Sequence, residues 1–108
     1  MRRGEVWTAT GGVYATKPRP VLIIQDDRFD ATDSVTVCPM TTMLLDAPLV
    51  RVLVEPDAAN GLKQPSHIMI DKITTTRRAR VQDRLGVLSQ EEMVRVERSL
   101  LVFLGVAG

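Results

Sequence analysis

The hydrophobic period of this chain changes once, at Ser89. Before that point apolar residues come in short runs of strand length, separated by turn residues; after it they recur at helical spacing. Ser89-Gln90-Glu91-Glu92 has the form of a capping box. The serine hydroxyl accepts an orphan backbone N–H and the glutamate reaches back to the cap. Met93, Val96, Leu100 and Phe103 or Leu104 then repeat on one face, and Gly105 stops the helix. A chain whose one helical pattern lies at its C-terminal end folds as a mainly β domain. The expected architecture is a small SH3-like barrel of twisted antiparallel strands with a C-terminal helix. A ferredoxin-like fold is excluded, because no helical pattern separates the early strands.

The strands read as follows. Glu5–Ala9 alternates around Val6 and Thr8. Arg19–Gln25 contains Val21, Leu22, Ile23 and Ile24 without interruption, the pattern of a central strand buried on both faces. Ser34–Pro39 carries Val35, Thr36 and Val37, and Leu49–Glu55 places Val50, Val52 and Val54 on one face. Asn60-Gly61 marks a turn. His67–Ile73 is expected as a further strand, with Ile68, Ile70 and Lys72 on one side, and Arg84–Leu88 as the last. Gly11 to Pro18 is a loop with two glycines, of the kind that carries function on a rigid scaffold.

At 108 residues the chain is expected to be one domain, 1–108. One cysteine, Cys38, rules out an internal disulfide and any cysteine-rich zinc site; one histidine, His67, rules out His-pair metal motifs. The longest apolar run, Leu100–Leu104, is far short of the roughly 20 residues that span a bilayer, so no membrane role is expected. No apolar stretch follows the initial Arg2-Arg3, and the expected location is the cytoplasm. The formal charge is +1, so the chain as a whole is no polyanion binder. Lys72–Arg84 departs from that average, with Lys72, Arg77, Arg78, Arg80 and Arg84 against Asp83 alone. Such a patch draws in phosphates or is simply a solvated loop, the second being the commoner use.

Lys17-Pro18-Arg19-Pro20 is the most unusual local feature. The two prolines stiffen the backbone on either side of Arg19, so its guanidinium loses little entropy on gripping an anion. By spacing alone, a plain surface arginine at the start of a strand fits as well and is more common. Cys38-Pro39-Met40-Thr41-Thr42 ends another strand with two hydroxyls, which cap a turn or donate to a ligand oxygen. His67 reads as a candidate acid or base, or as a surface residue. No P-loop, nucleophile elbow, dinucleotide fingerprint or calcium loop is present.

Taken in order, Arg3-Gly4-Glu5-Val6-Trp7, Lys17-Pro18-Arg19-Pro20-Val21-Leu22-Ile23-Ile24-Gln25, Val37-Cys38-Pro39-Met40-Thr41-Thr42 and Ile70-Asp71-Lys72-Ile73 resemble the MazF/PemK family of toxin endoribonucleases. The resemblance runs nearly end to end. It implies a PemK/CcdB-like SH3 barrel, a homodimer, and sequence-selective cleavage of single-stranded RNA without a metal or other cofactor. It places the family's catalytic pair on Arg19 and Thr41, and its later acidic-plus-polar pair on Asp71 and Lys72. Tyr14, Thr16, Lys17, Thr42, Arg77 and Arg78 complete the candidate substrate contacts, with Tyr14 as a stacking platform. The first loop departs from the family: Val13-Tyr14-Ala15 stands where some members carry Ser-Glu-Gln. The implied partner is a MazE-like antitoxin whose disordered tail covers the groove.

Two other readings stand beside the nuclease. A CcdB-like toxin on the same barrel binds DNA gyrase without enzymatic chemistry, and is marked by a C-terminal segment with an exposed Trp. This chain ends Leu104-Gly105-Val106-Ala107-Gly108 and its one Trp is Trp7. A catalytically silent RNA-binding barrel is the third.

Overall fold

The computed structural model describes residues 1–11 and 17–107. Among the described residues seven antiparallel strands precede one α-helix: β1 (Glu5–Ala9), β2 (Arg19–Ile23), β3 (Ser34–Thr41), β4 (Arg51–Val54), β5 (Ser66–Met69), β6 (Thr74–Arg77), β7 (Val81–Val87) and α1 (Gln90–Phe103). The strand order is β4-β5-β3-β2-β1-β7, with β6 joined to β3 as well. β3 makes this branching possible. Its first half, Ser34–Val37, pairs with β6, and its end, Met40 and Thr41, pairs with β5. One strand of eight residues thus serves two sheets and bends the whole into a barrel-like shell.

The two faces of the sheet bury different side chains. Leu22, Cys38, Met40, Val52, Val54, Ile68 and Ile70 point to one face, where Met93 and Val96 of α1 cover them. Val21, Ile23, Val35 and Val37 point to the other, where they meet Ala9, Val81 and Trp7. The continuous apolar run in β2 is explained by this arrangement: neighbouring residues feed opposite cores, and the strand lies between β1 and β3.

The seam between β4 and β7 is closed by a turn and not by a strand ladder. Asn60, fully buried, donates from its side-chain amide to the Glu55 carbonyl (2.9 Å) and accepts from the backbone N–H groups of Asp57 and Leu62. The turn so fixed lets the Ala59 carbonyl accept from Val87 N–H of β7 (2.9 Å). Backbone approaches backbone here so closely that a Cβ on Gly86 would collide with Ala59 and Asn60. Gly61 adopts φ +70°, which completes the expected Asn-Gly turn.

α1 begins at the expected cap: Ser89 Oγ accepts from Glu92 N–H (3.1 Å) and Glu92 Oε1 accepts from Ser89 N–H (2.8 Å). It ends in a Schellman motif, with Gly105 at φ +74° and Val106 N–H donating to the Leu101 carbonyl.

Four expectations are corrected. The strand expected over His67–Ile73 stops at Met69, and Ile70–Lys72 forms a 3-10 turn. Ile70 is anchored in the core and its N–H donates to the Val50 carbonyl, while the chain swings from one half of β3 to the other. Lys72 therefore leaves the face of Ile68 and Ile70 and is exposed. Thr74–Arg77, read as part of a charged loop, is strand β6, paired through Val37↔Thr74 to Ser34↔Arg77. The final strand begins at Val81, three residues before the expected Arg84. Phe103 and Leu104 are 42% and 57% exposed, because the buried face of α1 ends with Leu100.

Candidate functional site

Arg19 opens β2 and Thr41 closes β3, so the antiparallel pairing of these strands brings both to the same end. The paired register of β2 and β3 ends at Val21 and Pro39, and Arg19 and Thr41 each lie two residues beyond that pair. β3 and β5 then pair Thr41 with His67, and β5 and β4 pair His67 with Leu53. Thr41, His67 and Leu53 form one row across three strands, with Arg19 at the adjacent end of β2. Their neighbours Met40, Ile68, Val52 and Val54 are buried on the helix-covered face, so the row points to the opposite one. Strands lie about 4.8 Å apart, and directly opposed residues have Cβ atoms about 5 Å apart.

This row opens onto a groove of about 990 Å³. Arg19, Thr41, Thr42, Lys72 and Arg80 line it, with Arg51 and Thr74–Thr76. Four cations contribute to its wall and no carboxylate does among the described residues. Arg19 is exposed and makes no ion pair with any described residue. Thr41 is half-buried, and its Oγ1 accepts from Met43 N–H (3.1 Å). That bond occupies a lone pair and leaves the hydroxyl hydrogen free to donate into the groove. Gly11, at φ +86°, leaves room for the Arg80 side chain, which a Cβ there would strike.

Arg51 is the wall residue with a fixed partner. Its side chain is only 9% exposed, and Nε and Nη2 donate to the two carboxylate oxygens of Asp71 (3.0 and 3.1 Å). These bonds from Arg51 hold the Asp71 carboxyl below the usual carboxylate range. The clamp ties β4 to the 3-10 turn that carries Lys72, and so sets where Lys72 stands. Cys38 lies beneath, buried, and burial pushes its thiol up to about 12, with the Asp71 charge adding to the effect. It stays protonated and unreactive.

The remaining candidates separate. Lys17 is exposed and does not line the groove. Asp71 is turned to Arg51 and is not among the groove residues. Arg77 stands at the far end of β6 opposite Ser34. Arg78 is spent on the β2–β3 connection, donating to the carbonyls of Thr32 and Phe29. Arg84, also in the basic segment, pairs with Glu5 (2.7 Å). The patch therefore divides, and only Lys72 and Arg80 of its five cations reach the groove. Tyr14 and Thr16 lie outside the described residues. Arg51 and the Thr41–His67 pairing were not foreseen, since each depends on strand register. Among the described residues no three His, Cys, Asp or Glu side chains cluster as a metal site, and no helix is long and apolar enough to cross a membrane.

Comparison with known proteins agrees with this fold. The family model described as PemK-like, MazF-like toxin of type II toxin–antitoxin system matches residues 2–104. A protein of Mycolicibacterium smegmatis named probable endoribonuclease MazF is 59% identical over 109 residues, covering the whole of both chains. The solved Mycobacterium tuberculosis toxin MazF-mt6 superposes with a TM-score of 0.82 at 25% identity, covering 96% of this chain and 99% of that one. A mycobacterial endoribonuclease solved in complex with its cognate antitoxin gives 0.81 at 23% identity, covering 100% and 98%. The chain belongs to the PemK-like, MazF-like toxin family of type II toxin–antitoxin systems.

Proposed function

We propose that this toxin is an endoribonuclease that cuts single-stranded RNA in the groove between Arg19 and Thr41. The observation that carries the reading is a guanidinium without an ion pair and a free hydroxyl donor at the same end of two adjacent strands, on one groove wall with four cations and no carboxylate among the described residues. Such a site suits a phosphodiester. Arg19 offers a planar fork to two non-bridging oxygens, and Thr41 donates to one of them. Held in line, the 2′-hydroxyl of the preceding ribose attacks phosphorus and the bond to the 5′-oxygen breaks. The products are a 2′,3′-cyclic phosphate and a 5′-hydroxyl. The added charge on the phosphorane-like transition state is what Arg19 and Thr41 stabilise.

The donor set is cationic and hydroxylic, so the chemistry runs on charge stabilisation without a metal ion. Asp71, with both oxygens taken by Arg51, acts on position and not on the 2′-hydroxyl proton. Lys72 and Arg80 track the backbone on either side. The apolar end of α1, with Leu101, Val102, Phe103 and Leu104 exposed, supports the homodimer expected of the family. The partner is an antitoxin whose tail competes for the groove, and both act in the cytoplasm.

The test is a long RNA and the same sequence as single-stranded DNA, incubated with the protein in excess chelator. Cutting of the RNA alone, with cyclic-phosphate ends and loss in Arg19→Ala, is expected. Equal cutting of DNA, or cutting abolished by chelator, overturns the mechanism.

A further inference from the structure

The groove has a side branch that the cleavage chemistry does not use. A cleft of about 370 Å³ lies on the same face of β4 and β5, lined by Leu44, Leu45, Asp46, Pro48, Leu53 and His67. It shares Leu45 and Arg51 with the main groove, so the two are continuous. Its floor is the outer end of the three-strand row: His67 stands one strand, about 5 Å, from Thr41, and Leu53 two strands, about 10 Å. A base leaving the strand beside a phosphate gripped at Thr41 has that reach.

The polar groups in the cleft are specific. Leu45 N–H donates to His67 Nδ1 (3.3 Å). A neutral imidazole that accepts at Nδ1 carries its proton on Nε2, which makes His67 a donor at its other edge. Asp46 supplies an acceptor from the loop above. The leucines and Pro48 give flat apolar walls, while Arg51 is fixed by Asp71 and cannot swing in to fill the space. A donor and an acceptor set in apolar walls match a base edge with a carbonyl beside a ring N–H. Uracil and guanine have that edge; adenine and cytosine do not.

We propose that this cleft is the base-selecting subsite of the enzyme, taking a uracil or guanine next to the cut, with His67 donating to the base carbonyl and Asp46 accepting its ring N–H. The inference rests on the RNA-cleaving reading above. His67 acts on the base and on the placement of the 42–50 loop, not on phosphorus.

The experiment is selection from a randomised 2′-fluoro RNA pool, which lacks the attacking hydroxyl and reports binding alone. Wild type, His67→Ala and Leu53→Glu are compared after thermal unfolding has confirmed that each is folded. Leu53 is partly exposed, so its substitution tests the cleft even where His67→Ala fails to fold. Wild type is expected to enrich uracil or guanine at one position by roughly tenfold or more, and both variants to flatten that position while leaving the others. Enrichment of adenine or cytosine there, no enrichment in wild type, or an unchanged profile in the folded variants overturns the proposal. A cleft that instead receives an apolar side chain of a protein tail gives that unchanged profile. Enrichment without cleavage of natural RNA would sink the nuclease and leave the subsite standing; cleavage with an unchanged profile would do the reverse.

Discussion

Two groups among the cations of this chain differ in a way that its sequence does not show. At the β1 end they are tied down. Arg3 donates to Glu97 (3.0 Å) and to the Ile24 carbonyl, Arg84 to Glu5 (2.7 Å), and Arg78 to backbone carbonyls. At the groove, Arg19, Lys72 and Arg80 make no ion pair with any described residue. Arg51 lies on the boundary, facing the groove while clamped to Asp71. A net charge of +1 hides this division. What matters for an anionic ligand is where cations without a partner converge on one concavity, and Arg19, Lys72 and Arg80 do so in the groove.

The sharpest break in the comparison is Arg19→Ala. Its cost should fall on the rate, by on the order of 10²–10³ under single-turnover conditions, while stability moves by no more than about 0.5 kcal/mol. A matching loss of stability in thermal unfolding would place Arg19 among the structural arginines. Arg51→Leu should behave in the opposite way. It strands the Asp71 carboxylate, and the partial exposure of that group limits the cost to roughly 1–3 kcal/mol. The Asp71 carboxyl should then titrate nearer the ordinary range, which NMR titration can follow. An unchanged titration would remove Arg51 as the cause of its depression.

Arg80→Ala and Lys72→Ala should each weaken RNA binding modestly and reduce the slope of log affinity against log salt by about 0.7 per lost phosphate contact. Arg84→Ala should leave that slope alone, although it lies in the same basic stretch of sequence. An equal reduction in all three would merge the two groups.

The smallest effect concerns acid. Burial raises the Glu5 carboxyl, but bonds from Arg2 N–H, Arg84 and Trp7 together outweigh it and hold the group at about 2. A folded-state value below the unfolded one gives stability that is complete above about pH 4.5 and is lost as pH falls towards 2. With solvent screening of Arg84, the contribution is on the order of 1–2 kcal/mol. Urea denaturation between pH 5 and 2.5 should lose that increment in wild type and less of it in Glu5→Gln.

Much of the frame was legible in the sequence because local physics wrote it there. The unbroken run in β2 reflects burial on both faces, the Ser89 box fixes the start of α1, and Asn60-Gly61 marks the turn that closes the seam. Arg19 and Thr41 were legible as a pair only through the family resemblance; their placement in one groove follows from the antiparallel pairing of β2 with β3. β6 was missed because three threonines between charged residues carry β propensity without apolar alternation. The 3-10 turn at Ile70–Lys72 was hidden because Ile70 keeps the strand's inward period while the backbone leaves it. The positions of Arg51 and His67 depend on which strands lie side by side, and no local pattern encodes that. The exposed Phe103 shows the converse limit: helical spacing identifies an apolar face but not what it meets.

One substitution in the substrate tests attack by the 2′-hydroxyl most directly. An RNA oligonucleotide and its twin bearing a single 2′-deoxyribose on the 5′ side of the cut bond should be compared in single-turnover reactions with chelator present. Attack by the neighbouring hydroxyl on a diester held by Arg19 and Thr41 predicts cleavage of the first and none of the twin at that bond. Cleavage of both at similar rates would contradict it.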